Sequence, residues 1–323
     1  MSPQGRREGL PVRTVLIPVE HRAPRRSWGR RLAAFIALLV LAIAAATVVA
    51  IVRHSPAAAP KTVTVARKPS PVRRPAPPVH PATAVTLAQA QQRAITRLAG
   101  LGVPVFCGAA SGHEVALTFD DGPGPYTAKV LTILRRFHAQ ATFFLVGNRI
   151  RYWPRLPAAE AALGAVGDHT WSHADLTRLR RHAAALEIDR AEAAIAASAS
   201  TRVRLFRTPY ERSPRWLGRY LAARGLLEIR WSVDSDDYLR KATGDSIVRR
   251  VGPALRPGAI VLMHEIHPTT VRALPRLLRL IQARHLHAVS VPELLRRDPP
   301  SYAQLMADNR GRGCVDLATA RRE

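Results

Sequence analysis

Five short stretches of this 323-residue chain gather side chains able to do acid–base or metal chemistry. They are T-F-D-D-G-P (118–123), G-D-H-T-W-S-H (167–173), R-T-P-Y (207–210), D-S-D-D-Y (234–238) and L-M-H-E (262–265). In the first, two adjacent carboxylates repel, and something must offset that cost. Asp-Gly-Pro is also plain turn chemistry, so this stretch alone would read as the end of a strand. His169 and His173 are the only two of twelve histidines spaced four apart. Each, taken singly, could be a capping or surface residue. Imidazoles one helical turn apart can also grip a single cation, with a carboxylate as the third ligand. Joined, the pieces explain each other. A divalent cation held by Asp121, His169 and His173 would neutralise one carboxylate, leaving Asp120 ionised to take a proton from an attacking water, provided a cation such as Arg207 holds it in place.

Such groups need a scaffold that brings distant segments together. Short apolar runs at Val115–Phe119, Ala141–Val146, Val203–Phe206, Glu228–Val233, Ala259–Met263 and His287–Val291 read as buried strands. Amphipathic stretches at Ala128–Phe137, His182–Ser198, Pro214–Arg224, Asp245–Leu255 and Thr270–Arg284 read as helices. Alternation of this kind predicts an α/β domain with a parallel sheet covered by helices. Six or more units over roughly 210 residues favour a barrel over an open sheet. Four of the five reactive stretches follow directly on predicted strands, where parallel α/β folds collect their chemistry.

Outside that domain the chain changes character. Residues 1–31 hold eight Arg against two Glu, and 32–52 run without a charge. At 1.5 Å per residue that run measures about 32 Å, enough to cross a bilayer as a transmembrane signal anchor. Its Arg-rich flank would stay in the cytoplasm, so the expected location is a single-pass cell-membrane protein with an extracellular catalytic domain. Cleavage near Ala57-Ala58-Ala59 would release the same domain. Residues 53–85 read as a Pro-rich basic linker, with eight Pro and no acid between Ser55 and Pro81. The net charge of +26 suits an anionic envelope polymer. No helix-turn-helix, zinc-finger or RNA-binding signature occurs, so no nucleic-acid partner is expected. Cys107 and Cys314, the only two cysteines, could pair outside the cell and tie the 299–323 tail to the start of the 86–298 domain, or remain free thiols.

The ordered set T-F-D-D-G-P, H-T-W-S-H, R-T-P-Y, D-S-D-D-Y and L-M-H, spread over Val115 to Val291, resembles the five motifs of the NodB-type polysaccharide deacetylases, carbohydrate esterase family 4. The resemblance implies a distorted (β/α) barrel of the NodB-homology type and one divalent metal ion, Zn2+ first, with Co2+ or another ion as alternatives. It implies Asp121, His169 and His173 as metal ligands, Asp120 as general base and Arg207 as its orienting cation. The Tyr210 backbone N–H would help stabilise the oxyanion, and Leu262 would line the acetyl pocket. His264 would be the general acid, its imidazole pKa raised by Asp237. Two positions depart from the family pattern: Tyr238 stands where Trp is usual, and Asp168 where Asn is common. The Asp168 carboxylate would add negative charge beside the metal.

The activity expected is removal of acetyl groups from N-acetylglucosamine residues of an envelope polysaccharide, peptidoglycan first and a chitin-like oligosaccharide next, by a monomeric enzyme. The competing readings are an O-acetyl esterase of the xylan type on the same fold and a wall-binding module without turnover.

Overall fold

The computed structural model describes residues 81–312 and Cys314. The predicted cytoplasmic segment, the 32–52 anchor and nearly all of the linker lie outside the described residues. Among the described residues no helix is long and apolar enough to cross a membrane.

The sheet is built outward from strand β1 (Glu114–Gly122), buried along nearly its whole length because it is central in the sheet and covered on both faces. It pairs in parallel with β2 (Ala141–Leu145) on one side and β7 (Ile260–His264) on the other, and β8 (His287–Val289) pairs with its N-terminal end. β3 (Gly164–Asp168), β4 (Leu205–Phe206) and β5 (Leu227–Glu228) extend the first side, and β6 (Val233–Asp234) pairs with β7 on the second, giving the order β5-β4-β3-β2-β1-β7-β6. Every one of these pairings is parallel.

The expected distorted barrel takes the form of a curled half-barrel. The sheet curls but does not close, since β5 and β6 end it without pairing to each other. The predicted strand over Glu228–Val233 is two short strands with a break between them. In the break, Val105 bridges to Ile229, and Cys107 bridges to Ala259 before β7. β3 was not expected at all. Its sequence, G-A-V-G-D, has weak strand propensity. Gly164 is there for contact: a Cβ would stand 2.1 Å from the Ala141 carbonyl oxygen of β2.

Strand alternation sorts the core into two. Val115, Leu117 and Phe119 face the helices, together with α2 (Thr127–Arg136), α4 (Arg181–Ala199), α6 (Gly244–Ala254) and α7 (Pro268–Ala283). α3 (Leu156–Ala161) and α5 (Leu217–Arg224) complete this layer. The apolar stripes run at helical spacing, as in Ala184, Ile188, Ala191, Ile195 and Ala199 of α4. Ala116 faces the inside of the curl with Phe144, Leu205, Leu227 and Ile260. That inner cluster is filled by Ile95 and Leu98 of α1 (Pro81–Ala99), Leu294 and Leu295 of α8 (Val291–Arg297) and Leu305 of α9 (Tyr302–Ala307). Helix α1 begins at Pro81, so the Pro-rich linker stops short of the expected residue 85; proline is tolerated in a first helical turn because its missing N–H would be unpaired there. Beyond residue 299 the tail is partly folded. Cys314 is joined to Cys107 by a disulfide, and its carbonyl accepts from Arg256.

Candidate active site

Alternation along β1 puts Thr118 and Asp120 on the inner face with Ala116, and would send Asp121 to the opposite face. It does not, because the β1–β2 register shifts between Asp120 and Gly122, and Asp121 takes a left-handed backbone at φ 69°. A bulge of this kind re-aims a side chain. Both carboxylates therefore serve one cleft, which resolves the question posed by the adjacent acids. Gly122 closes the bulge. A Cβ there would fall 1.5 Å from Glu265 Oε1, inside a fully buried side chain. Gly122→Ala should thus lower Tm by about 3–10 °C, the effect of overpacking by roughly 1–3 kcal/mol in a domain of this size. A thermal melt at wild-type value would contradict that reading of the bulge.

Asp121, His169 and His173 each offer one donor atom, and the three atoms lie within 4.8 Å of one another. Asp121 Oδ1 is 3.2 Å from His173 Nε2 and 3.8 Å from His169 Nε2. The tautomers are set from behind. His169 Nδ1 donates to the Arg207 carbonyl oxygen at 2.7 Å, which leaves the Nε2 lone pair facing Asp121. Burial pushes the His169 imidazole down to about 3, so it stays neutral. His173 Nδ1 lies 3.0 Å from the Tyr210 hydroxyl. The donor set fits a divalent cation: two imidazoles and a carboxylate converge, and Asp121 Oδ1 is buried without a hydrogen bond.

Asp120 is held differently. Its Oδ1 accepts from Arg207 at 2.7 Å. The Arg207 guanidinium is fully buried, also donates to Thr118 Oγ1 and to the Ile229 and Arg230 carbonyls, and stacks 4.1 Å from the Phe144 ring centre. Burial raises the Asp120 pKa, and the Arg207 and His264 charges oppose the rise. A carboxylate in that balance is more basic than one in water and still anchored.

Across the cleft, His264 Nδ1 and its backbone N–H meet the two oxygens of Asp237, each at 2.7 Å, and the Thr270 hydroxyl donates to the second. Burial alone would lower the imidazole pKa. The Asp237 hydrogen bond and charge, with Asp120 and Asp121, outweigh it and hold His264 at about 9. Burial would likewise raise Asp237, yet the hydrogen bonds from His264 and Thr270 leave it below the ordinary carboxylate range.

Asp120, Asp121, His169, His173 and His264 line an open cleft of about 860 Å³. Leu262 and Trp231 are in its wall, and Tyr210 and Tyr238 edge it. The Tyr238 ring stands edge-on to His264 and its hydroxyl donates to Asp234, so the smaller aromatic still borders the acid. Asp168 sits at the end of β3. It is fully buried, its Oδ1 accepts from the Thr170 N–H at 2.6 Å, and burial raises its pKa well above the ordinary carboxylate range. Sequence reasoning also missed Thr270, whose signal was its place in the first turn of the helix that H-P-T-T opens, and the rim formed by Asp175 with Arg178 and Arg212.

Residues 108–227 match the family model Polysaccharide deacetylase. A chitooligosaccharide deacetylase of Bradyrhizobium sp. (strain ANU 289) is 35% identical over 215 residues, 59% of this chain and 98% of that one. The peptidoglycan-N-acetylglucosamine deacetylase PgdA of Listeria monocytogenes is 32% identical over 194 residues, again 59% of this chain but 41% of PgdA's own length. Among solved structures, a family 4 carbohydrate esterase from Streptomyces lividans in complex with acetate superposes with a TM-score of 0.52 at 35% identity, covering 55% of this chain and 92% of that one. A curled parallel sheet with a two-histidine, one-aspartate cradle facing an acid–base pair defines a hydrolase of the metal-dependent kind. The chain belongs to the polysaccharide deacetylase family, carbohydrate esterase family 4, and is a hydrolase of carbon–nitrogen bonds.

Proposed function

We propose that this protein removes N-acetyl groups from N-acetylglucosamine residues of peptidoglycan, with a chitin-like oligosaccharide as the next substrate. The observation that carries the reading is the division of the cleft: a base anchored by Arg207 on one wall and a protonated imidazole backed by Asp237 on the other. Both relatives named above are deacetylases of N-acetylglucosamine-type polymers or oligomers by their names. Asp121, His169 and His173 would hold the cation, with Zn2+ as first choice. When bound it supplies Lewis-acid charge that polarises the acyl oxygen and acidifies the attacking water.

The protein's own groups do the rest. Asp120, fixed at Oδ1 by Arg207, takes the proton of the water through Oδ2. The Tyr210 backbone N–H faces the developing oxyanion, where a fixed donor is worth most. Leu262 accommodates the acetyl methyl. His264 then gives the proton on Nε2 to the departing amine, which would otherwise leave as an unstable anion, and Asp237 stabilises the imidazolium until that moment.

The reading extends to place. The uncharged 32–52 run behind an Arg-rich flank supports a membrane anchor with the domain outside, and the basic linker suits an anionic wall. The test is acetate release from purified peptidoglycan, chitin oligomers and acetylated xylan, with and without chelator and zinc add-back. Peptidoglycan turnover that chelator abolishes and zinc restores is expected; release from xylan alone would replace this substrate with the ester reading. In the same assay Asp121→Ala and His169→Ala should each lose the ion, read by elemental analysis after dialysis, and with it turnover.

A further inference from the structure

Glu265 directly follows His264, and its partner Glu160 lies in α3; both side chains are fully buried. The mechanism above uses neither. Their carboxyl groups interact with each other, and that of Glu265 also with the Thr127 hydroxyl, which accepts from the Gly124 N–H at 2.9 Å. Apart from the Thr127 hydroxyl beside Glu265, no N–H or O–H group among the described residues serves the four carboxyl oxygens. Two ionised carboxylates cannot remain in contact in such a place, because each buried charge would go uncompensated. One proton held between them removes the conflict: one carboxyl becomes the donor and the other the acceptor. Burial raises both groups in the direction that keeps this proton bound.

The position of the pair gives it a task. Glu265 Oε1 fills the space a Cβ of residue 122 would need, so the carboxyl is wedged against the backbone of the bulge that carries Asp120 and Asp121. Through its own backbone it adjoins His264 at the end of β7. We propose that Glu160 and Glu265 form a proton-sharing pair that positions the Asp120–Gly122 bulge relative to His264, setting the span between base and acid. Both are positioning residues, and the inference rests on the deacetylase reading.

Three variants of the full chain test it. In Glu160→Gln the amide N–H replaces the shared proton, and kcat should stay within about threefold of wild type. Glu160→Met removes the donor, and the double variant Glu160→Met with Glu265→Met removes both polar partners at similar volume. The double variant should melt at or above the wild-type temperature, since paired apolar replacement of buried polar groups is near neutral. Its kcat should nevertheless fall about tenfold or more at unchanged KM, because misplacement by a fraction of an ångström is felt in turnover. A parallel Co2+ titration reads the bulge without turnover: the double variant should bind about tenfold more weakly and Glu160→Gln within about threefold. Wild-type kcat and Co2+ affinity in the double variant would overturn the proposal, as would equal losses in Glu160→Gln and Glu160→Met. If the double variant does not fold, the contrast between the two single variants decides. Absence of acetate release by the wild type would count against the deacetylase reading alone, because the Co2+ arm still tests the pair.

Discussion

Asp120→Asn lowers kcat by about 10²–10⁴-fold, the usual worth of a positioned general base, while the protein keeps its metal ion. Asp120 and Asp121 are neighbours in sequence with opposite surroundings. Asp121 offers a buried oxygen without a hydrogen bond to the two imidazoles, whereas Asp120 Oδ1 is taken by Arg207 and its Oδ2 stands 3.7 Å from His169 Nε2. Asparagine can still accept the Arg207 bond but cannot take a proton. It also leaves a fully buried guanidinium without its counter-ion, although the bonds to Thr118, Ile229 and Arg230 remain. Removing one partner of a buried pair costs about 3–5 kcal/mol. Tm should therefore fall together with kcat, and metal content should not. Elemental analysis of Asp120→Asn beside Asp121→Ala makes the comparison, and equal metal loss in the two would end the division of roles between them.

Much of this arrangement was legible in the sequence because chemistry and strand ends coincide. Val115–Phe119, Ala141–Val146 and Ala259–Met263 are apolar apart from Thr118 and Thr142, so their central place in the sheet followed from composition, and reactive residues sit where the first and third of these runs stop. The missing parts depend on contacts that no local pattern records. β3 exists because Gly164 allows close approach to Ala141, whereas its residue types argue against a strand. The run Glu228–Val233 reads as one strand, but Arg230 is drawn aside by Glu228 and Ser213, and Trp231 turns to the cleft wall. The bulge at Asp121 is invisible in T-F-D-D-G-P, which fits an ordinary turn equally well. That Asp168 is fully buried cannot be read from G-D-H. Glu160 gave no signal at all, since its only relevant neighbour is more than a hundred positions away.

His264→Ala separates the two ways of losing an acetyl group. An amine is a poor leaving group unless it is protonated as the carbon–nitrogen bond breaks, whereas a sugar hydroxyl leaves with much less help. Loss of the imidazole should therefore cost about 10²–10⁴-fold on an N-acetylated glycan and about tenfold or less on an O-acetylated one. The same group sets the alkaline limit of the N-deacetylase. His264 must be protonated to donate, and with its pKa held at about 9 the active form is present below that value and lost above it, so kcat/KM should fall on the alkaline side of about pH 9. Asp237→Asn removes the charge and weakens the bond that hold the imidazole up, and burial then pulls it down, so the alkaline limb should move toward neutrality. Folding is linked with the same sign. A pKa raised on folding from 6.5 to about 9 contributes stability that is whole below pH 6.5 and fades as pH climbs to 9, and Asp237→Asn should flatten that slope in Tm. An alkaline limb that stays put in Asp237→Asn, or an equal loss of N- and O-deacetylation in His264→Ala, would remove His264 from the role of acid and leave the departing amine to take its proton from solvent.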